Sequence, residues 1–193
     1  MRIRIALYFV ASLCTAGYPA FSRADSSLST HCKQDEFAYL NARMASIRYF
    51  NNRNHEKGYE LLKNGKVLSI CADRQSEPLT LITYRYGVVG KVEIEIKGTV
   101  ANKVGLFERS TSPHTGENIL FFRAGDFTYY VTEATAQGSG IGLNVYSEGK
   151  RVAHLFSGND RGKDYESGLF VINFYKASSP IFVHREPPDP VPW

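Results

Sequence analysis

Residues 118–158 most constrain how this chain can fold, because strand-like runs alternate there with glycine-containing turns. The first run, residues 119–123, has apolar side chains on both of its faces, which predicts a central strand covered on both sides. Turn residues at 123–126 (Arg-Ala-Gly-Asp) and 147–150 (Ser-Glu-Gly-Lys) separate segments that alternate at period two. The segment therefore predicts an antiparallel meander of four strands.

The sequence on either side of this meander supplies further strands. Six segments have strand-like patterns: residues 59–63, 66–72, 79–86, 92–97, 104–108 and 168–175. The dipeptide Asn64-Gly65 lies between the first two of them and favours the type I′ turn of a tight hairpin. Glycine, tyrosine and phenylalanine are abundant, with 16, 12 and 12 residues, as is typical of an antiparallel β protein.

One segment predicts a helix instead. From about residue 35 to residue 51, Phe37, Leu40, Met44 and Ile47 recur at spacings of three and four, which is the period of an amphipathic helix. Such a helix can cover an open face of a sheet. The predicted fold class is therefore mainly β with a minor α+β character: an antiparallel β-sandwich or a partly open barrel with one N-terminal amphipathic helix.

The N-terminus predicts a signal peptide over residues 1–24. Arg2 and Arg4 precede an apolar run, and residues 22–24 (Ser-Arg-Ala) place small side chains where signal peptidase requires them. A lipoprotein anchor at Cys14 is the alternative, and it is disfavoured because leucine directly precedes that cysteine. The apolar run is too short to span a bilayer, so we expect a soluble mature protein that is periplasmic or secreted, with no transmembrane segment.

Cleavage after residue 24 shortens the 193-residue chain to 169 residues, enough for one domain with its own core. It removes three arginines and no acidic residue, so the formal charge falls from +4 to +1. A charge this low argues against nucleic acid as a partner. We expect a single β-rich domain over residues 25–177. A proline-rich tail at 178–193 should be extended, and it either is disordered, docks into a partner or folds back on the sheet.

Cysteine usage predicts one disulfide. Cys14 is lost with the signal peptide, which leaves Cys32 and Cys71 as the two thiols of the mature chain. An isolated pair in an oxidising compartment usually forms a disulfide. Oxidation also removes both thiols as nucleophiles.

Aromatic residues suggest a binding surface. Tyr84, Tyr86, Tyr130 and Tyr146 lie on predicted strands, where they form either an exposed aromatic platform or a layer buried beneath the helix. His114, in a Ser-Pro-His-Thr-Gly loop, is a further candidate for contact with a partner. The candidate surface also includes Trp193, which ends the tail.

The sequence contains no strong catalytic or cofactor motif. Glu93 and Glu95 share one face of a predicted strand at about 6.5 to 7 Å, a separation compatible with paired carboxylates of glycoside hydrolysis. Lys91 and Lys97 bracket this pair, and such alternation is the ordinary composition of a solvated sheet face, which is the favoured interpretation. The five histidines are not at metal-ligand spacing, and His154 is expected to be a core or boundary residue. We predict no metal and no cofactor.

Several landmarks resemble a group of secreted bacterial proteins of uncharacterised activity. They are Asn-Gly-Lys-Val-Leu-Ser-Ile-Cys-Ala at 64–72, Tyr-Arg-Tyr-Gly at 84–87, Val-Glu at 92–93 and Gly-Asp-Phe-Thr-Tyr at 125–129. The resemblance covers roughly residues 65–155 and implies export and a β-rich fold, but no activity.

The chain departs from this pattern at one position. Members of the group often have a second cysteine after the hairpin equivalent to Gly149-Lys150, where this chain has Leu155, Phe156 and Ser157. The departure implies that Cys32 is the partner of Cys71 here.

These features favour a non-enzymatic binding protein of the bacterial envelope. Its partner is expected to be another protein, with an inhibitor of a periplasmic hydrolase or an immunity protein against a toxin as the particular hypotheses. The alternative is a carbohydrate-binding module or weak glycan-acting enzyme that uses the tyrosines with Glu93 and Glu95. A purely structural envelope protein is not distinguished from the first hypothesis by the sequence.

Overall fold

Strands account for all the regular secondary structure that the computed structural model describes, over residues 28–51, 57–75, 78–112, 115–135, 139–168 and 178–191. The predicted signal peptide lies outside these residues. So does the strand predicted over 168–175, apart from Gly168. Within the described ranges, no helix is long and apolar enough to cross a membrane.

Eleven strands follow one another along the chain. They are β1 Phe37–Asn51, β2 Lys57–Ala72, β3 Ile82–Val88, β4 Lys91–Gly98, β5 Val104–Ser112, β6 Thr115–Ala124, β7 Phe127–Thr135, β8 Gly140–Ser147, β9 Lys150–Phe156, β10 Tyr165–Ser167 and β11 Phe182–His184.

All of these strands belong to one sheet, curled into an open half-barrel in the order β11-β5-β6-β7-β8-β9-β1-β2-β3-β4. β10 pairs with the N-terminal part of β1, and β9 pairs with its middle part. Every pairing between the named strands is antiparallel except that of β11 with β5. The mainly β class is therefore confirmed, with an open, curled sheet.

The predicted N-terminal helix is wrong, because the segment is strand β1. Its pairing with β2 contains a register shift between Ala38 and Leu40, which inserts one extra residue into β1. Phe37 and Leu40 consequently face the same core although they are three residues apart. Met44 is the last buried residue of this row, and Ile47 belongs to the opposite face. The extra residue between Phe37 and Leu40, together with the opposite face of Ile47, produces the spacings of three and four residues that are typical of a helix.

The hairpin predicted at Asn64-Gly65 is also corrected. β1 pairs with β2 on both sides of this dipeptide, with Met44 opposite Lys66 and Ala45 opposite Lys63. The two residues therefore form a bulge inside one long strand. Gly65 has a φ of 71°, and Asn64 Oδ1 accepts a 2.9 Å hydrogen bond from the backbone N–H of Lys66. The positive φ that suits a turn serves the bulge equally well.

The two turns predicted in the central meander are confirmed. Gly125-Asp126 joins β6 to β7, and Glu148-Gly149 joins β8 to β9. Glu148 and Gly149 have φ values of 50° and 73°, which is the backbone pattern of a type I′ hairpin turn.

The concave side of the sheet holds the main core. Its members come from nearly every strand, because alternate residues of each strand point inward. Leu68, Tyr84, Leu106, Leu120, Val131 and Leu143 are among its fully buried side chains.

Two segments cover the convex side. The leader, defined as residues 28–36, lies against β2 and β3. The tail, defined as residues 178–191, adds β11 beside β5 and then packs Val191 against Phe121 and Tyr130 in a second, smaller cluster. The described part of the proline-rich tail is therefore folded back on the sheet.

Candidate functional site

The leader is joined to the sheet covalently. Cys32 bonds to Cys71 near the end of β2, with a Cα–Cα distance of 5.4 Å, which confirms the predicted disulfide. His31 continues the attachment: its backbone N–H donates to Ser69 Oγ at 3.0 Å, and its side-chain Nε2 lies 3.1 Å from the carbonyl oxygen of Gly87. Ser69 Oγ in turn donates to Asn41 Oδ1 at 2.8 Å.

A buried cation lies beneath the leader. Arg85 on β3 is 3% exposed and donates hydrogen bonds to Glu36 of the leader at 2.5 and 2.8 Å and to Glu95 of β4 at 2.7 Å. These bonds are the main cause that lowers the pKa of both carboxyl groups. The ion pair with Glu36 therefore fastens the leader to β3, and the pair with Glu95 links β3 to β4.

The four tyrosines do not form an exposed platform. Tyr84 and Tyr86 belong to the concave core, whereas Tyr130 and Tyr146 belong to the cluster under the tail on the convex side. None of the four is more than 8% exposed. Of the two alternatives, burial describes all four tyrosines. The curled sheet and the tail cover them, and not a helix.

The tail engages two of these tyrosines by their hydroxyl groups. Tyr130 donates to Asp189 Oδ2 and Tyr146 donates to the carbonyl oxygen of Pro190, both at 2.6 Å. Burial is the main cause that raises the pKa of Tyr130, and its hydrogen bond to the Asp189 carboxylate is the second cause. The other two predicted surface residues, His114 and Trp193, lie outside the described residues.

Tyr84→Phe is expected to raise the free energy of unfolding by about 1 kcal/mol. The Tyr84 hydroxyl is buried and has no hydrogen-bond partner within the described residues, so its removal relieves a desolvation cost. Urea denaturation measures the change. Tyr130→Phe is the matched control, and it should lower stability by about 1 to 2 kcal/mol because it breaks the bond to Asp189. Equal effects of the two variants would contradict this account.

Glu93 and Glu95 are engaged in separate ion pairs. Glu93 lies 2.6 Å from Lys66 Nζ, and Glu95 bonds to Arg85 and lies 3.7 Å from Lys97 Nζ. A glycosidase needs one carboxylic acid with a raised pKa, yet the pKa of Glu95 is lowered by Arg85. The geometry therefore favours structural ion pairing.

Among the described residues, three further sites contain side chains that could act as acids, bases or metal ligands, and each is buried, half-buried or already bonded. Glu133 is 2% exposed, accepts a hydrogen bond from Ser167 Oγ at 2.8 Å, and has a pKa raised by burial. His154 is half-buried, and burial lowers its pKa. Ligand atoms of Cys32, Glu36 and Cys71 lie within 4.8 Å of one another, but the two sulfur atoms are bonded together.

A two-stranded arm is an exposed surface that the sequence patterns did not predict. We define the arm as residues 47–51 of β1 and 57–61 of β2. Pairing of β1 with β9 stops at Ser46, and pairing of β2 with β3 begins at Lys66. Within the described part of the chain, the arm therefore extends past the neighbouring strands, and its two segments pair with each other.

Aromatic side chains are exposed along the arm. Tyr49 and Tyr59 face each other across the strands and are 70% and 48% exposed. Ile47 and Leu61 form the next pair on the same face and are half-buried. On the opposite face, Phe50 is 48% exposed and its ring lies over Gly58. The signal in the sequence was weak: Tyr59 and Leu61 flank a polar residue, but in β1 the apolar Phe50 interrupts the alternation of Ile47 and Tyr49, and Ile47 also fits a helical spacing.

The tyrosine face of the arm continues into a small pocket, which we call the base pocket. Ala45, Leu61, Val67 and Val89 supply apolar lining, and the pocket volume is about 150 Å³. Its charged lining residues are Arg43, Lys63, Lys66 and Asp164.

A second, larger cleft of about 690 Å³ lies between the leader, β1 and β10. Phe37 and Tyr39 form an edge-to-face pair on one side of it, and Lys33, Arg161 and Glu166 also contribute to the lining. These mixed side chains select no particular ligand chemistry.

Comparison with protein-family models, with curated proteins and with solved structures finds no match to this chain. The resemblance based on the landmarks at 64–72, 84–87, 92–93 and 125–129 therefore stays a prediction. The fold and the surface define a class in physical terms: a disulfide-linked, open half-barrel with a projecting aromatic arm.

Proposed function

We propose that this chain is an exported, non-enzymatic binding protein of the bacterial envelope, and that it recognises another protein through its arm. The particular hypotheses are an inhibitor of a periplasmic hydrolase and an immunity protein against a toxin. Export rests on the pattern of residues 1–24 and is supported by the disulfide between Cys32 and Cys71, a bond typical of oxidising compartments.

The exposed tyrosine pair carries the proposal. Tyrosine supplies a large contact area with a polar end, and it is enriched among the residues that dominate binding energy at protein interfaces. Tyr49 and Tyr59 stand opposite each other on the arm, where their side chains are accessible to a partner. Among the described strand tyrosines, Tyr39, Tyr84, Tyr86, Tyr130, Tyr146 and Tyr165 are buried and Tyr129 is half-buried, whereas this pair is exposed.

Carbohydrate binding has less support. That alternative relied on a platform of Tyr84, Tyr86, Tyr130 and Tyr146, all of which are buried. It also relied on Glu93 and Glu95, and the structure pairs each of these with a cation.

Photo-crosslinking in cells that export the protein tests the proposal. A photoreactive amino acid at position 49 or 59 is expected to yield a covalent adduct with one particular protein. The same residue at position 152 is the control, because Val152 is 57% exposed but lies on β9. Adducts of the same protein at all three positions, or none at 49 and 59, would refute recognition by the arm.

Tyr49→Ser combined with Tyr59→Ser should weaken binding of that protein at least tenfold, since a tenfold change corresponds to about 1.4 kcal/mol and interface tyrosines often contribute more. Titration calorimetry measures the affinity. The side chains are exposed, so the free energy of unfolding should change by less than about 1 kcal/mol. A double variant that binds as tightly as the unmodified protein would contradict the role of the tyrosine face.

A further inference from the structure

The base pocket has the dimensions of a socket for one apolar side chain. Its volume of about 150 Å³ is well below that of pockets for drug-sized ligands, which begin near 300 Å³. An apolar cavity of roughly 150 Å³ accommodates a benzene molecule. The pocket therefore fits a phenylalanine ring or a comparable aliphatic side chain, but not a larger small molecule.

Val89 makes the mouth of this pocket accessible. It is 59% exposed in the turn between β3 and β4, whereas Val67 and Met44 of the same lining are buried. A shallow apolar socket with an exposed rim residue is typical of positions where a partner inserts one anchor side chain.

The charged residues around the pocket are mostly positive. Arg43, Lys63 and Lys66 carry three positive charges, against the single negative charge of Asp164. Two lysines line the pocket. Lys66 pairs with Glu93, whereas Lys63 has no acidic side chain within salt-bridge distance among the described residues. Electrostatic complementarity selects a partner segment with carboxylates beside its anchor.

The pocket and the tyrosine face are continuous. Ala45, Ile47 and Tyr49 are alternate residues of β1 and so lie on one face, with Lys63, Leu61 and Tyr59 opposite them. At strand rise, the distance from residue 45 to residue 49 is about 13 Å. An extended segment of four or five residues spans it.

We infer that this surface binds an extended acidic segment of the partner protein, with one large apolar side chain inserted into the base pocket and a neighbouring residue packed on Tyr49 and Tyr59. The inference rests on the proposed function, because it specifies what the arm recognises. Lys63 attracts the carboxylates, and Val89 borders the anchor.

A displayed library of random twelve-residue peptides, selected on the oxidised mature protein, tests this inference. Enriched peptides should contain one phenylalanine, leucine or similar residue flanked by aspartate or glutamate. The most enriched peptide is then synthesised together with a version whose anchor is replaced by serine. Binding of the serine version should be at least tenfold weaker. Enrichment of basic peptides, or failure to enrich any sequence, would overturn the inference.

Two substitutions localise the peptide. Val89→Asp should weaken binding of the synthetic peptide at least tenfold, and Lys63→Glu should weaken it about fivefold, with the loss reduced at high salt. The controls are Val152→Asp and Lys150→Glu, which change exposed residues of β9 and should leave affinity unchanged within twofold. All four variants should show the same urea midpoint as the unmodified protein. Equal peptide affinity for Val89→Asp and Val152→Asp would reject the base pocket.

The same variants separate this inference from the proposed function. If cross-linking at positions 49 and 59 succeeds but Val89→Asp binds the cross-linked protein normally, the arm is the interface and the acidic-segment inference fails. Sedimentation velocity examines the other possible occupant, a second copy of this chain. A concentration-dependent dimer that disappears in the Tyr49→Ser/Tyr59→Ser variant would also overturn the inference.

Discussion

Replacing Cys32 and Cys71 by serine is expected to lower the free energy of unfolding by about 3 to 4 kcal/mol. The disulfide closes a loop across a sequence separation of 39 residues, and removing it restores that loop's freedom to the unfolded chain. The leader would keep its hydrogen bonds to Ser69 and its ion pair with Arg85, but these contacts alone would have to hold it on the sheet. Urea denaturation of the oxidised protein and of the double variant measures the difference.

Reduction of the unmodified protein supplies an independent comparison. Its denaturation midpoint should then match that of the double serine variant, because both lack the same covalent link. A double variant as stable as the oxidised protein would show that the disulfide contributes little and that the ion pairs are sufficient.

Arg85→Met is expected to destabilise the protein by about 3 to 5 kcal/mol, since it removes the buried cation that pairs with both Glu36 and Glu95 beneath the leader. Arg48→Met is the control. Arg48 forms an exposed pair with Glu60 at 3.6 Å, and its loss should change stability by less than about 1 kcal/mol. Chemical denaturation at pH 7 compares the two. Similar decreases in the free energy of unfolding for the two variants would show that the buried ion pairs of Arg85 contribute no more than an exposed pair.

The pH dependence of stability gives a second measurement on the same group. The pKa values of Glu36 and Glu95 are lower in the folded protein than the usual value of 4.5, chiefly because Arg85 donates hydrogen bonds to them. The unfolded state therefore binds more protons in this range, and stability rises with pH. The contribution is complete above about pH 4.5 and is lost as the pH falls through the lower, folded pKa values. In Arg85→Met this acid-dependent loss should largely disappear.

Local signals in the sequence were sufficient for the central meander. The turns at Gly125-Asp126 and Glu148-Gly149 are formed by adjacent residues, so their chemistry can be recognised without knowing the rest of the fold. The disulfide was equally predictable, because the predicted cleavage removes Cys14 and leaves Cys32 and Cys71 with one possible pairing.

Strand β1 and the bulge at Asn64-Gly65 could not be predicted from local signals, because both depend on long-range pairing. Each depends on how β1 aligns with β2 over their full length, and the extra residues of both bulges are defined only by that pairing. The helical spacing of Phe37, Leu40, Met44 and Ile47 is a product of this long-range alignment. Periodicity within one segment cannot distinguish it from a helix.

The burial of the tyrosines likewise depends on distant parts of the chain. Tyr130 and Tyr146 alternate correctly for an outward face, but the tail returns to cover that face. Tyr49 and Tyr59 have the same amino-acid type and a similar strand pattern, yet no described segment covers them to a comparable degree. The burial of Tyr130 and Tyr146 therefore depends on the return of the tail, which their own strands do not reveal.

The central place of β1 has a consequence for the time course of folding. On one edge β1 meets its sequence neighbour β2, but on the other edge Ala45 pairs with Phe156, 111 positions later. Joining such distant residues requires closure of a long loop, whereas the β6–β7 and β8–β9 hairpins close through two residues each. We therefore expect these local hairpins to form before β1 pairs with β9, and mutations in the β1–β9 contact to slow the later steps of folding.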